Sequence, residues 1–134
     1  MLRLAVAGEP GFTVDTRELE RSGPSYTVDT LRAVRAERPG DELFLIVGAD
    51  AAGTLEQWRE AAALADLATI VIIPRPGHPA PGAGPGTIVA DVALTDESAT
   101  AARATAARGE PLERLVPPAV AEYIAAKGLY RTGV

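Results

Sequence analysis

Leu43-Phe44-Leu45-Ile46-Val47-Gly48-Ala49-Asp50 is the stretch on which the fold turns. Its five consecutive apolar residues, closed at once by Gly-Ala-Asp, read as a strand buried on both faces, the habit of a parallel sheet covered by helices. A second run of the same kind, Thr69-Ile70-Val71-Ile72-Ile73, ends in Pro74-Arg75-Pro76-Gly77. Between the two runs, about Thr54 to Asp66, the positions of Leu55, Trp58, Ala62 and Leu64-Ala65 suit a helix. Upstream, Thr27 to Arg38 is also expected to be helical. Thr27 would be its N-cap, Tyr26 and Leu31 a hydrophobic staple, Leu31 and Val34 the buried stripe, and Pro39-Gly40 the stop.

Farther out, Met1 to Ala7 resembles the tail of a helix, stopped by Gly8, Pro10 and Gly11. Phe12 to Thr16 alternates like an edge strand, and Ser22 to Ser25 makes a turn. Residues 76–86 hold four prolines and four glycines and are expected to be a loop. Thr87 to Leu94 reads as a further strand. Two helices follow, about Thr100 to Arg108 and Pro118 to Lys127, the second opened by proline and closed by Gly128. Strands alternating with helices imply an α/β fold built on a parallel sheet.

The 134 residues suit one compact domain. Hydrophobic residues at 47% and charged residues at 23% are ordinary globular usage. The absence of cysteine excludes thiol catalysis and disulfides. With 13 basic against 18 acidic residues the net charge is −5, a poor basis for tracking a nucleic-acid backbone. A few local arginines can still hold one small anion against that charge. No apolar stretch approaches the roughly 20 residues of a membrane span, and the start is too short for a signal peptide, so a cytoplasmic protein is expected.

In parallel sheets ligands bind outside the carboxyl ends of the strands, and Gly48-Ala49-Asp50 and Arg75-Pro76-Gly77 both fall there. Asp50 could accept a ribose hydroxyl or a metal-bound water, or serve as a helix N-cap or turn aspartate; Gly48 could admit a ligand or simply make the turn. Trp58, the only tryptophan, could stack on a heterocycle or belong to the core, while Arg59 reads as a solvated neighbour. Arg75, fixed between two prolines, could contact phosphate or be a surface charge. Ser98-Ala99-Thr100-Ala101-Ala102-Arg103 opens a helix with two hydroxyls and an arginine one turn in, which suits either an anion or plain N-capping. His78, the only histidine, lies in the Pro/Gly loop without a partner for metal binding or nucleophile activation.

These segments, taken in order, resemble the bacterial nicotinate-mononucleotide adenylyltransferases. The resemblance is carried by Gly23-Pro24-Ser25-Tyr26-Thr27-Val28-Asp29-Thr30-Leu31, by Leu45-Ile46-Val47-Gly48-Ala49-Asp50 and by Trp58. It continues through Ile73-Pro74-Arg75-Pro76-Gly77, Ser98 to Arg103, Leu115 to Val120, Tyr123-Ile124 and Gly128-Leu129-Tyr130. It implies a Rossmann-like α/β sheet of the nucleotidyltransferase type. It also implies transfer of the adenylyl group of ATP, accompanied by Mg2+, to nicotinate mononucleotide, giving nicotinate adenine dinucleotide and pyrophosphate.

By position in that resemblance, Thr27 would help hold the pyridine carboxylate, Trp58 would stack on the pyridine, and Gly48 and Asp50 would line the nucleotide crevice. Arg75 would approach the mononucleotide end, and Ser98, Thr100 and Arg103 would take ATP phosphate. Two departures stand out. Ala99 replaces a hydroxyl of the family's phosphate motif, and the family's N-terminal histidine-x-glycine-histidine signature is absent. The expectation is therefore one partial domain, N-terminally incomplete, with a substrate-binding part at 1–77, a loop at 76–86 and a phosphate-motif and helical part at 87–134. Such a chain would bind substrate yet transfer adenylyl groups weakly or not at all, and a strand edge and its apolar face would lie uncovered. The competing readings are a relative with another acceptor, such as nicotinamide mononucleotide or phosphopantetheine, and a non-catalytic pyridine-nucleotide binding module.

Overall fold

The two apolar runs become neighbouring strands in the computed structural model, which describes residues 1–77, 82, 84–93 and 98–131. β1 (Phe44–Gly48) pairs in parallel with β2 (Thr69–Ile73), Phe44 opposite Thr69 and Gly48 opposite Ile73. β3 (Thr87–Val89) adds in parallel to the other side of β2, so the sheet order is β1-β2-β3. Gly86, at positive φ, starts β3 where an added Cβ would lie 3.5 Å from the Ala65 methyl, and its carbonyl accepts from the Ile70 N–H.

The chain divides into two compact units, Thr16–Thr95 and Met1–Asp15 with Asp96–Val134. The sheet belongs to the first. Its helices are α2 (Arg17–Glu20), α3 (Thr27–Glu37), α4 (Ala49–Ala52) and α5 (Ala61–Leu67), with a 3-10 turn at Leu55–Gln57. Val28 and Leu31 of α3, Val47 of β1, Leu64 of α5 and Ile70 and Ile72 of β2 form one core with Ala49, Ala52 and Ala68. The second unit holds α1 (Leu2–Ala5), α6 (Ala99–Ala107) and α7 (Pro118–Lys127), packed around Ala106, Leu112, Val120 and Ile124. Among the described residues no helix is long and apolar enough to cross a membrane.

Several expectations need correcting. β1 is not buried on both faces: Phe44 and Ile46, on one face, are 55% and 66% exposed, while Val47, on the other, is buried. Phe12–Thr16 forms no strand: Val14 and Thr16 are half-buried, but Phe12, on the same alternation, is 68% exposed. Thr27 is not the N-cap of α3 but its first residue. Tyr26 is the cap, in extended conformation and without a side-chain bond, which shifts the helix out of register for a Tyr26–Leu31 staple. The third strand stops at Val89, and Leu94 and His78 lie outside the described residues.

The stretch from Thr54 to Asp66 is not one helix. The Thr54 hydroxyl donates to the Ala51 carbonyl at 2.9 Å, the 3-10 turn follows, Trp58 is extended, and Glu60 adopts a left-handed conformation (φ 51°, ψ 44°) before α5 begins. Hydroxyl-to-backbone bonds of this sort compete with helix continuation. A left-handed glutamate costs about 1–3 kcal/mol, so tertiary contacts override its preference for helix.

Candidate functional site

The parallel register sets the first part of the site. With Gly48 opposite Ile73, the positions two residues further on, Asp50 and Arg75, emerge side by side at the carboxyl ends of β1 and β2. An Arg75 guanidinium nitrogen lies 3.6 Å from an Asp50 carboxylate oxygen, with both side chains about half exposed (45% and 53%). An exposed pair at that separation contributes only about 0–1 kcal/mol to stability, so both charges are free to trade each other for a ligand. Gly48 is extended (φ −72°, ψ 157°), so glycine is not needed there for its backbone freedom. What it provides is space: a Cβ would come within 2.7 Å of Asp50 Oδ1, the movable end of a half-exposed side chain, and would displace it.

The second part is a pocket of about 320 Å3 lined by Ser25, Tyr26, Thr27, Gln57, Trp58 and Arg59. One wall is the start of α3, whose first N–H groups have no partner within the helix and carry its positive end. The other wall is the extended segment between the 3-10 turn and α5. Trp58 is half-buried and packs against the core. Its indole N–H donates to Thr54 Oγ1 at 3.3 Å, which itself donates to Ala51, so the ring is held in place from below. Trp58 is therefore partly a core residue, one of the two readings its sequence left open, and it also lines the pocket.

Arg59 is not merely a solvated neighbour. Its guanidinium stands 4.5 Å above the Tyr26 ring, a cation–π contact that joins the two walls. Behind it, Arg32 of α3 donates to both Glu60 carboxylate oxygens at 3.2 and 2.6 Å. Those hydrogen bonds, and the charge of Arg32, hold the Glu60 carboxyl below its ordinary value and raise Arg32 in return. Gly48, Asp50 and Arg75 do not line this pocket, so within the Thr16–Thr95 unit the expected substrate residues fall into two groups.

Ser98, Thr100 and Arg103 lie in the other unit. Ser98 caps α6, its hydroxyl accepting from the Ala101 N–H at 3.1 Å, and Arg103 donates to Thr100 Oγ1 at 3.3 Å. The plain N-capping expected as the alternative is thus present, and the exposed arginine and hydroxyl sit together one turn into the helix. A larger hollow in that unit, about 370 Å3, has Glu110, Glu113 and Glu122 in its lining and would repel a phosphate.

The probable nicotinate-nucleotide adenylyltransferase of Thermus thermophilus is 45% identical to this chain over 131 residues, covering 98% of the chain and 70% of that protein. The chain belongs to the nicotinate-nucleotide adenylyltransferase family. The similarly named relative from Geobacillus kaustophilus is 43% identical, over 100% of this chain and 62% of its own length. No protein-family model matches. Among solved structures, the Plasmodium falciparum nicotinic acid mononucleotide adenylyltransferase complexed with APC superposes with a TM-score of 0.64. It covers 81% of this chain and 60% of that one, at 18% identity, a likeness of fold. The nucleotidyltransferase-type Rossmann-like architecture expected from the sequence is therefore the architecture this family member has.

In this adenylyltransferase-family chain the sequence did not point to Ser25, Tyr26 and Gln57 as pocket residues, to the Arg59–Tyr26 contact or to the Arg32–Glu60 pair. Tyr26 was within reach, since it directly precedes Thr27 in the quoted Gly23–Leu31 segment. The two cross-chain contacts were not, because nothing local in the sequence joins residues 28 or 33 positions apart.

Proposed function

We propose that the chain binds nicotinate mononucleotide and serves the adenylyl transfer from ATP that yields nicotinate adenine dinucleotide and pyrophosphate. The observation that carries the reading is the convergence of Thr27 and Trp58, distant in sequence, on one pocket at the start of α3. In this reading the pyridine ring stacks on Trp58, and its carboxylate takes the Thr27 hydroxyl and the free N–H groups of the first turn of α3. Asp50 accepts the ribose hydroxyls, Gly48 leaves its carboxylate room, and Arg75 exchanges Asp50 for the mononucleotide end. Ser98, Thr100 and Arg103 bind ATP phosphate.

The reaction asks little more of side chains than alignment and charge neutralisation. A mononucleotide phosphate oxygen attacks the α-phosphorus of ATP, a new P–O bond forms, and the bond to pyrophosphate breaks. Among the described residues no three metal-ligating side chains cluster, and Asp50 faces a guanidinium, so the residues present do not fit a resident magnesium ion. Mg2+ enters as part of the ATP substrate, held by its phosphates. We take the 134 residues as one partial nucleotidyltransferase domain of a cytoplasmic, NAD-synthesising enzyme. Full turnover needs the histidine pair that the resemblance implies and that a chain whose single histidine is His78 does not supply.

The test uses Trp58 as an intrinsic probe. Titrating nicotinate mononucleotide is expected to quench its fluorescence saturably, more tightly than nicotinamide mononucleotide, with the effect weakened about tenfold or more in Thr27→Ala. An unchanged Trp58 signal in the folded chain would refute the site.

A further inference from the structure

Glu60, next to the pocket-lining Arg59, has a left-handed backbone that the sequence gives no reason to expect. It is a good helix former held at φ 51°, and no glycine relieves the strain. Its carboxylate receives both arms of the Arg32 guanidinium, at 3.2 and 2.6 Å, and lies 3.8 Å from Arg59 Nε. Arg32 stands on α3, five residues beyond Thr27, with Asp29 at 3.9 Å on the same helix. The pair therefore fastens the helix that provides one wall of the pocket to the corner that ends the other.

Stability is a poor account of this arrangement. Both side chains are close to half exposed, 47% and 43%, where ion pairs contribute little to folding, and the left-handed corner is itself unfavourable. Geometry accounts for it better. If Glu60 and the extended Trp58 both took helical dihedrals, the 3-10 turn and α5 could run together, as the sequence alone predicts, and the Trp58 and Arg59 side chains would turn with the helix. The bidentate fork fixes direction as well as distance, which a single lysine contact would not.

We propose that Arg32 and Glu60 are positioning residues for the pyridine pocket. Their ion pair holds the strained corner open, keeping Trp58 in stacking position and Arg59 over Tyr26, opposite Thr27. The role in ligand affinity rests on the reading of this pocket as the nicotinate mononucleotide site; the role in orienting Trp58 does not.

The experiment uses the full chain and the variants Glu60→Gly, which keeps the left-handed corner accessible but removes the carboxylate, Arg32→Glu, and the exchange Arg32→Glu with Glu60→Arg. Accessibility of Trp58 to acrylamide is measured without ligand, nicotinate mononucleotide is titrated by Trp58 fluorescence, and thermal unfolding is followed in parallel. Each single variant is expected to make Trp58 more accessible and to weaken binding about tenfold, within the range that small misplacement costs. The exchange is expected to bring both readouts back to within about threefold of the parent, as coupling between contacting residues requires. Single variants with parental Trp58 accessibility would overturn the proposal, as would an exchange that rescues nothing. If the parent itself ignores nicotinate mononucleotide, the site reading fails, and the positioning role still stands or falls on the acrylamide result.

Discussion

At Gly48 one hydrogen atom decides the geometry of a carboxylate. The residue is extended, so alanine would suit its backbone, but the added methyl would sit 2.7 Å from Asp50 Oδ1 and the carboxylate would have to swing away from the strand end. Gly48→Ala is therefore expected to leave the unfolding midpoint nearly unchanged while weakening nicotinate mononucleotide binding about tenfold, the worth of a hydrogen bond to a charged group. Parental affinity in the same fluorescence titration would mean that the Asp50 carboxylate does not hold the ribose. The residue scale is also where the sequence was most ambiguous. Asp50, Trp58 and Arg75 each admitted a structural reading, and only the register of β1 against β2, with Gly48 opposite Ile73, brings Asp50 and Arg75 together.

Elements differ in how far local sequence defines them. β2 runs from Thr69 to Ile73 and α7 from Pro118 to Lys127, as their sequences predict, because both carry their own boundary signals. α7 has proline in its first turn and Gly128 in the left-handed conformation just beyond its end (φ 59°). The segment between β1 and β2 lacks such signals and is settled by contacts: Thr54 to Ala51, Trp58 to Thr54, Glu60 to Arg32. Its stability comes from α5, whose Leu64 is 1% exposed in the core beside Ile70 and Ile72. Leu64→Ala is expected to destabilise the fold by about 2–5 kcal/mol, the cost of an unfilled core site. Ser98→Ala, which removes only the N-cap bond of the exposed end of α6, should cost about 1 kcal/mol. Urea unfolding measures both, and equal losses would contradict this ranking.

For the whole molecule, two arginine-paired glutamates make acid the direction of weakness. Glu60, paired with Arg32 in one unit, and Glu110, paired with Arg108 in the other, both have carboxyls held below the ordinary glutamate value of 4.5, chiefly by hydrogen bonds from the arginines. A depressed carboxyl binds protons more readily in the unfolded chain, so these half-exposed pairs give the fold a small support above that value, and it is lost as the pH falls below it. The unfolding midpoint should thus hold between neutral pH and about pH 5 and fall below the ordinary glutamate range of about 4.3. Thermal scans across that range check it; a midpoint that rises on acidification would be the contrary result. The sequence isoelectric point near 4.9 places the solubility minimum just above the same range.

The sequence by itself determined the α/β class, the positions of the two apolar strands and the last helix, because each rests on composition, periodicity or residue order within a short window, and it pointed to the family through the order of its segments along the chain. It also placed Gly48, Asp50 and Arg75 at strand ends and Thr27 at the start of a helix. Tertiary structure alone decided that Phe44 and Ile46 face outward, that the helix expected at Thr54–Asp66 breaks at a left-handed Glu60, and that Tyr26 and Arg59 close on one pocket with Thr27 and Trp58. The physical reason is common to all three. Exposure, backbone strain and contact across 28 or 33 residues depend on what lies opposite, and a local stretch of chain carries no record of its neighbour in space.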